Sequence, residues 1–388
     1  MKIYEIGTGY TPIPAQMGAA TEIVVEELSR AFLKQGVPAE IIDIAAEDRA
    51  QTDLPIREVK VPKCFSGTDV QLGIMHKLKR VVYSVALAEE LKKILKKTEE
   101  KVVLHFHNQY NLFFFLKLTS KKIRERAKIV YTVHSYIWPD EWDRIKDVVR
   151  KRYFQEVYCV QNADCVLVLN EKTTANFVKH LNVQPERIHM IGNGVNTDHY
   201  CILEENQVER FKETIGLGGK KVVFQVGSVC DRKNQLGSIM AMCQYLQNNL
   251  DVVYVYAGGI LDAEYQAKIR QFAQDNSISD QVVYAGELSP GRELNQYYNA
   301  AEVTVFPSKI ESFGLVVIES LAAGTPVILA DEPFFLLDGG YSVYRSKEAF
   351  IELIEGCIKR KKNSAAMRSS VVKTFGWEKI AEDHLKII

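Results

Sequence analysis

Two carboxylates, Glu311 and Glu319, stand on either side of Phe313-Gly314 in "FPSKIESFGLVVIESLAAGTPVIL", a stretch that begins at Phe306. The run "LVVIESLAAG" after the glycine has the pattern of a packed helix, closed by Gly324 and followed by Thr325-Pro326. Glu311 then falls in the loop ahead of the helix. Glu319 falls about a turn and a half inside it, among Val316, Val317, Ile318 and Leu321. A carboxylate with such neighbours points to a specific partner, and its two acceptor oxygens suit a ribose diol, while the loop acid suits sugar hydroxyls. Between the two acids the helix start offers free backbone N–H groups and a positive dipole end, and Gly314 admits a ligand close to the backbone.

A second stretch, "VFQVGSVCDRKNQ", supplies cations. A strand ends at Gly227, a short loop follows, and Arg232-Lys233-Asn234 precede a helix. A lysine at the mouth of a parallel sheet is a natural counter-charge for phosphate. One lysine and one helix N-terminus can together hold a diphosphate without a metal.

The elements that must position these residues are legible as alternating strands and helices. Near-continuous apolar runs, "KIYEI", "AEIIDI", "KVVLHFH", "KIVYTVH" and "DCVLVLN" in the first half and "KVVFQVG", "VVYVYA", "QVVYAG", "VTVFPS" and "PVILA" in the second, read as strands of parallel sheets covered on both faces. Segments of helix length lie between them, including Ala19–Gln35, Gln235–Asn249 and Ala263–Asn276. The alternation occurs twice, which predicts two doubly wound α/β domains facing an interdomain cleft. The length of 388 residues agrees with two domains. The break is placed in "IGNGVNTDHYCILEENQ" at the Asn193-Gly194 turn. This gives an N-terminal domain of residues 1–196, completed by a C-terminal helix over 374–388, and a second domain of residues 197–373.

Composition excludes several classes. The chain is 47% hydrophobic and 25% charged, and it carries no apolar run of spanning length. Its start, "MKIYEIGTGY", reads as a first strand rather than a leader. Seven scattered cysteines without CxxC spacing suggest neither a disulfide framework nor a zinc site, and a reducing cytoplasm is the expected home. The net charge of zero hides an asymmetry, because residues 57–128 hold 17 Lys/Arg against 7 Asp/Glu. Much of this excess lies in Gly73–Lys97 and Lys117–Lys128. It reads either as solvated helix faces or as a surface for anionic lipid, which would place the protein peripherally at the inner face of a membrane. No nucleic-acid motif accompanies it, so nucleic acid is not an expected partner.

With these residues assembled, the chain resembles glycosyltransferase family 4, retaining enzymes of the GT-B fold that use nucleotide-diphosphate sugars. Glu311 to Glu319, followed by "AAGTPV", resembles the E-x7-E signature. "ADCVLVLNEKT", "IGNGVNTDHY", "VGSVCDRKN", "ELNQYYNAAEVTVFPS" and the final "FGWEKIAEDHL" resemble further family segments in the family's order, across most of the chain. The resemblance implies that Lys233 neutralises the donor diphosphate, Glu319 holds the ribose and Glu311 contacts the donor sugar. It also implies that backbone around Ser312, Phe313, Gly314 and Leu315 orients sugar and phosphate. Gly18 and Ala19 match the family's glycine-rich loop, and His134 in "TVHS" matches a histidine lining the sugar pocket.

Three departures stand out. Ser228 occupies the place of an arginine in the phosphate loop, so a second cation must come from elsewhere, with Arg232 beside Lys233 the candidate. Ala19 replaces the second glycine of a pair, and Asn196 stands where Asp is usual. The implied reaction is front-face transfer with retention from a UDP-sugar, favoured over a GDP-sugar, to a glycan or lipid-linked acceptor. No cofactor beyond the nucleotide sugar is implied, and no metal. The alternatives are a sugar-nucleotide epimerase or phosphorylase, or a non-catalytic nucleotide-sugar-binding protein, on a similar scaffold.

Overall fold

The computed structural model describes residues 1–14, 20–65, 74–134, 147, 151–309, 311–330, 339–360, 362 and 364–388. The chain divides into two compact units: Met1–Gly194 with Trp377–Ile388, and Val195–Gly376.

The first unit is built on seven parallel strands: β1 Ile3–Ile6, β2 Ala39–Ile44, β3 Ile56–Val59, β4 Val102–Phe106, β5 Ala127–Val133, β6 Cys165–Val168 and β7 Ile188–Met190. Their order is β3-β2-β1-β4-β5-β6-β7. The central strands are buried throughout, as their apolar runs require of a sheet covered on both faces. The second unit has six: β8 Lys221–Val226, β9 Val252–Ala257, β10 Val282–Tyr284, β11 Ala301–Phe306, β12 Val327–Leu329 and β13 Tyr341–Val343, in the order β10-β9-β8-β11-β12-β13. Both sheets reverse direction of growth once, at β1/β4 and at β8/β11. Parallel sheets of this kind place their ligands at that reversal.

All ten strands expected from sequence are present, and β3, β7 and β13 are additional. These three are edge strands of four residues or fewer. An edge strand need not be apolar on both sides, so "IREV", "IHM" and "YSV" lack the continuous run that marks a central strand.

The segment after β7 turns on Asn196, whose Oδ1 accepts from the backbone N–H groups of Asp198 and His199, each at 3.0 Å. An aspartate would accept the same two hydrogens, so the departure at this position leaves the turn intact. At the other end of the chain, the helix Trp377–Leu385 packs on the helix Ala20–Lys34. Gln35 donates to the Glu378 carbonyl at 2.6 Å, and His384 meets Phe32 edge-on at 6.2 Å. Trp377 is buried, and its indole lies against Gly194, where an added Cβ would come within 2.3 Å of the ring. Trp377 opens its helix, and Val195 beside the glycine donates its backbone N–H to the Phe375 carbonyl at 2.7 Å, so neither ring nor backbone can retreat cheaply. Gly194→Ala is therefore expected to destabilise the first unit by about 1–3 kcal/mol, the usual cost of overpacking. Differential scanning calorimetry would show a lowered Tm for the corresponding transition, and an unchanged Tm would refute the assigned contact.

Candidate active site

β8 delivers the cationic loop. Gly227, at φ 144°, ends the strand, and the Lys233 stem lies where a side chain would otherwise stand, 3.2 Å from the position of a Cβ. Asp231–Lys233 form one 3₁₀ turn, closed by Asn234 in the left-handed region at φ 59°. Two glutamines pin the loop. Gln225 donates to the Lys233 carbonyl at 2.7 Å, and buried Gln235 donates to the Ser228 carbonyl at 3.0 Å. Ser228 thus contributes a carbonyl anchor and no cation.

β11 delivers the acid. Lys309 donates from its backbone N–H to the Arg232 carbonyl at 3.0 Å and from Nζ to both Asp231 oxygens at 2.7 and 2.8 Å, which stitches the two loops together. Beyond this seam, Lys233 Nζ lies 2.5 Å and Arg232 Nη1 2.9 Å from the same oxygen of Glu311. Side-chain exposures of 12% for Lys233, 18% for Glu311 and 47% for Arg232 make the lysine the inner cation and the arginine the outer one. Lys233 also stands 5.4 Å from the Phe306 ring centroid. The sequence left open which cation accompanies Lys233; the fold brings Arg232 to it.

The helix Leu315–Ala322 starts beside this cluster. Gly314 occupies its N-cap at φ 89° and has no side chain with which to cap the first N–H groups. The Val317 N–H is taken up by the Gly314 carbonyl at 2.9 Å, and the positive end of the helix suits an anion. Phe313 is buried and meets Phe375 edge-on at 5.8 Å, fixing the entry to the helix. Ser320 donates to Thr304 at 2.7 Å, tying the helix to β11. Ser312 is partly exposed at the turn before Phe313.

Glu319 accepts a hydrogen bond from Tyr298 Oη at 2.9 Å. Burial pushes its carboxyl up to about 7, although the Tyr298 and Tyr200 hydroxyls pull the other way. Neither tyrosine was singled out from sequence. Both lie in the quoted segments "NTDHY" and "ELNQYYNAAE", so their position was visible and their partner was not.

His134 belongs to the first unit, directly after β5, and Gly18 and Ala19 lie outside the described residues. His134 Nε2 is 2.8 Å from His107 Nδ1, and His107 Nε2 is 2.6 Å from Glu5 Oε2. Glu5 Oε1 in turn meets His105 Nδ1 at 2.9 Å. Glu5, His105 and His107 are the one trio among the described residues close enough together to hold a metal ion. Nitrogen and oxygen ligands bound to zinc at about 2.0–2.1 Å with tetrahedral angles sit roughly 3.3 Å apart. The contacts of 2.6 and 2.9 Å are those of hydrogen bonds.

Comparison with known proteins bears on the family and the fold. The model of Glycosyltransferase Family 4 matches residues 21–199, and that of Glycosyl transferases group 1 matches residues 207–338. The chain belongs to glycosyltransferase family 4. Similar members include a D-inositol 3-phosphate glycosyltransferase of Corynebacterium aurimucosum, 29% identical over 52% of this chain and 49% of the relative. Another is an O-antigen chain mannosyltransferase of Salmonella typhimurium, 25% identical over 71% and 68%. The chain spans about half the length of the inositol-phosphate glycosyltransferases that it matches. Among solved structures, Anabaena HepE in complex with UDP and glucose superposes with a TM-score of 0.72 at 16% identity, covering 100% of this chain and 98% of that one. The catalytic domain of Starch Synthase IV from Arabidopsis thaliana gives 0.75 at 15%, covering 100% and 98%. These likenesses establish the two-domain α/β GT-B fold of this family-4 protein.

The raised Glu319 pKa carries a stability consequence. Between the ordinary carboxyl value near 4.5 and about 7, the folded chain holds a proton that the unfolded chain has lost. Stability is therefore greatest below this window and falls as pH rises through it, by up to about 3 kcal/mol. Glu319→Gln keeps the acceptor for Tyr298 and removes the titration. Urea unfolding of the variant is expected to show a flatter pH dependence, with a gain over wild type above pH 7; parallel profiles would contradict the assignment.

Proposed function

We propose that the protein is a retaining glycosyltransferase that moves a sugar from a nucleotide-diphosphate sugar, a UDP-sugar before a GDP-sugar, to a hydroxyl of a glycan or lipid-linked acceptor. The observation that carries the proposal is the convergence of Lys233 and Arg232 on Glu311 beside a glycine-capped helix start that also bears Glu319. Both cations pair with the Glu311 carboxylate. With the donor bound they turn to the diphosphate, and Glu311 is released toward the sugar. Glu319 accepts the ribose hydroxyls and presents them with a preformed carboxylate above pH 7.

In the proposed reaction the bond from the anomeric carbon to the diphosphate oxygen breaks, and a bond to the acceptor oxygen forms on the same face of the sugar. The acceptor proton passes to the leaving oxygen. The charge that develops on the diphosphate is absorbed by Lys233, Arg232 and the N–H groups at Leu315, groups already in place before the reaction. Transfer is accordingly expected to persist in EDTA.

Purified protein incubated with UDP- and GDP-sugars, with and without acceptors, should release nucleotide and transfer sugar with retained configuration. Lys233→Ala and Glu319→Ala should each weaken donor binding by about tenfold or more, as loss of a charge-assisted contact does. Glu311→Ala should chiefly lower turnover. Unchanged donor affinity in both binding variants would sink the site, and an inverted product would sink the stereochemistry.

Among the described residues no helix is long and apolar enough to cross a membrane. The helix Ile74–Lys97 instead supports peripheral binding to anionic lipid. Lys93, Lys96 and Lys97 are exposed on it, while Lys92 and Lys93 are partly neutralised by Glu89 and Glu90. Sedimentation with vesicles rich in anionic lipid should show binding at low salt that disappears near physiological salt and in the K93E/K96E/K97E variant. Absence of binding at low salt would leave these lysines as a solvated face.

A further inference from the structure

The polar chain inside the first unit has a direction. Glu5, His105 and His107 are buried, while His134, at the carboxyl end of β5, is partly exposed. Burial pushes the Glu5 carboxyl up, but the imidazoles of His105 and His107 outweigh it and hold the group at about 2. Glu5 is therefore a carboxylate, and a carboxylate only accepts. Both imidazole nitrogens that touch it must carry hydrogen, namely His105 Nδ1 on Oε1 and His107 Nε2 on Oε2.

The second link follows from the first. Burial, with His105 beside it, brings His107 down to about 4, against the pull of Glu5, so the ring is neutral at ordinary pH. A neutral imidazole with its hydrogen on Nε2 has only a lone pair on Nδ1. The 2.8 Å contact between His107 Nδ1 and His134 Nε2 is then a hydrogen bond in which His134 donates. Burial and the neighbouring imidazoles hold His134 well below its ordinary value, so it too is neutral. His384 faces the same cluster, 5.7 Å from His105 between ring centroids, but its Nδ1 is engaged at 2.7 Å with its own helix at the Ile380 carbonyl. Thr132 Oγ1 closes the far end, 2.7 Å from His105 Nε2.

We propose that Glu5 and His107 are positioning residues that set the tautomer of His134, keeping its hydrogen on Nε2 and leaving Nδ1 as an acceptor for a substrate hydroxyl. The relay gives His134 one orientation and one role, accepting from an O–H, where an unsupported imidazole would exchange between two tautomers. The proposal deepens the glycosyltransferase reading and rests on it for the identity of the hydroxyl.

The tautomer is measurable without substrate. Two-bond ¹H–¹⁵N correlation spectra of the histidine-labelled protein, with the His134 signals identified by their loss in His134→Gln, should show hydrogen on Nε2 and a bare Nδ1. The opposite pattern, or rapid exchange between the two, overturns the relay. In the second arm, His107→Leu and Glu5→Ala should each lower kcat about tenfold, with nucleoside diphosphate affinity, read by calorimetry with UDP, changed less than twofold. The double variant should lose no more than either single one, because the two residues act through one hydrogen bond. Losses that multiply would mean independent structural effects and reject the relay. The wild-type spectrum decides the tautomer even where a variant fails to fold. The expected ring pattern together with no transfer from any donor would reject the enzymatic reading and leave the relay standing.

Discussion

The chemistry of the second unit depends on the pairing of β8 with β11. The chain inserts β9 and β10 between them in sequence, yet the sheet places the two strands side by side and grows outward in both directions from that pair. Loops that follow adjacent parallel strands emerge together at the carboxyl edge. Lys233 and Glu311 are 78 positions apart in the chain and meet only because their strands are neighbours. The Asp231–Lys309 seam and the two glutamine anchors then hold the loops in one arrangement. Without that pairing the two cations would be ordinary loop residues.

The first unit obeys the same constraint with different chemistry. Its sheet reverses at β1/β4, where Glu5 lies in register with His105. His107, two residues on from His105 and just past the end of β4, then reaches the other carboxylate oxygen. A buried carboxylate is costly unless hydrogen-bonded, and here both oxygens are met by imidazole N–H groups. Glu311 solves the equivalent problem differently. It sits in a loop at the sheet edge, partly wet, and is balanced by full positive charges instead of neutral donors. The contrast suits the proposed roles: a charge that can be handed over to a ligand in one unit, and a fixed pattern of hydrogen-bond donors in the other.

Glu319 stands between these extremes. Its carboxyl on the helix Leu315–Ala322 is desolvated, and the Tyr298 and Tyr200 hydroxyls offset only part of the cost of ionising it. A diol that donates two hydrogen bonds would complete the compensation, which is how burial can convert a poorly solvated acid into a selective acceptor.

Much of this was legible in the sequence. The apolar runs revealed ten of the strands, because strands covered on both faces leave no polar alternation to confuse them with other elements. The glycines at 227 and 314, Lys233 and the two acids pointed to a phosphate and sugar site through residue type and order. Three short edge strands were invisible, since "IREV", "IHM" and "YSV" carry no continuous apolar run; the edge strand β10 was legible because its "VVY" does. Side-chain partners were invisible too. That Tyr298 meets Glu319, that Arg232 and Lys233 share one oxygen of Glu311, and that Glu5 holds two histidines are all contacts between residues distant along the chain. Local pattern determines which residues are strand, helix or loop, and hence which loop carries each charge. Only tertiary structure, through strand order and register, decides which of those charges share an oxygen, because hydrogen bonds act over about 3 Å and the chain alone does not set that distance.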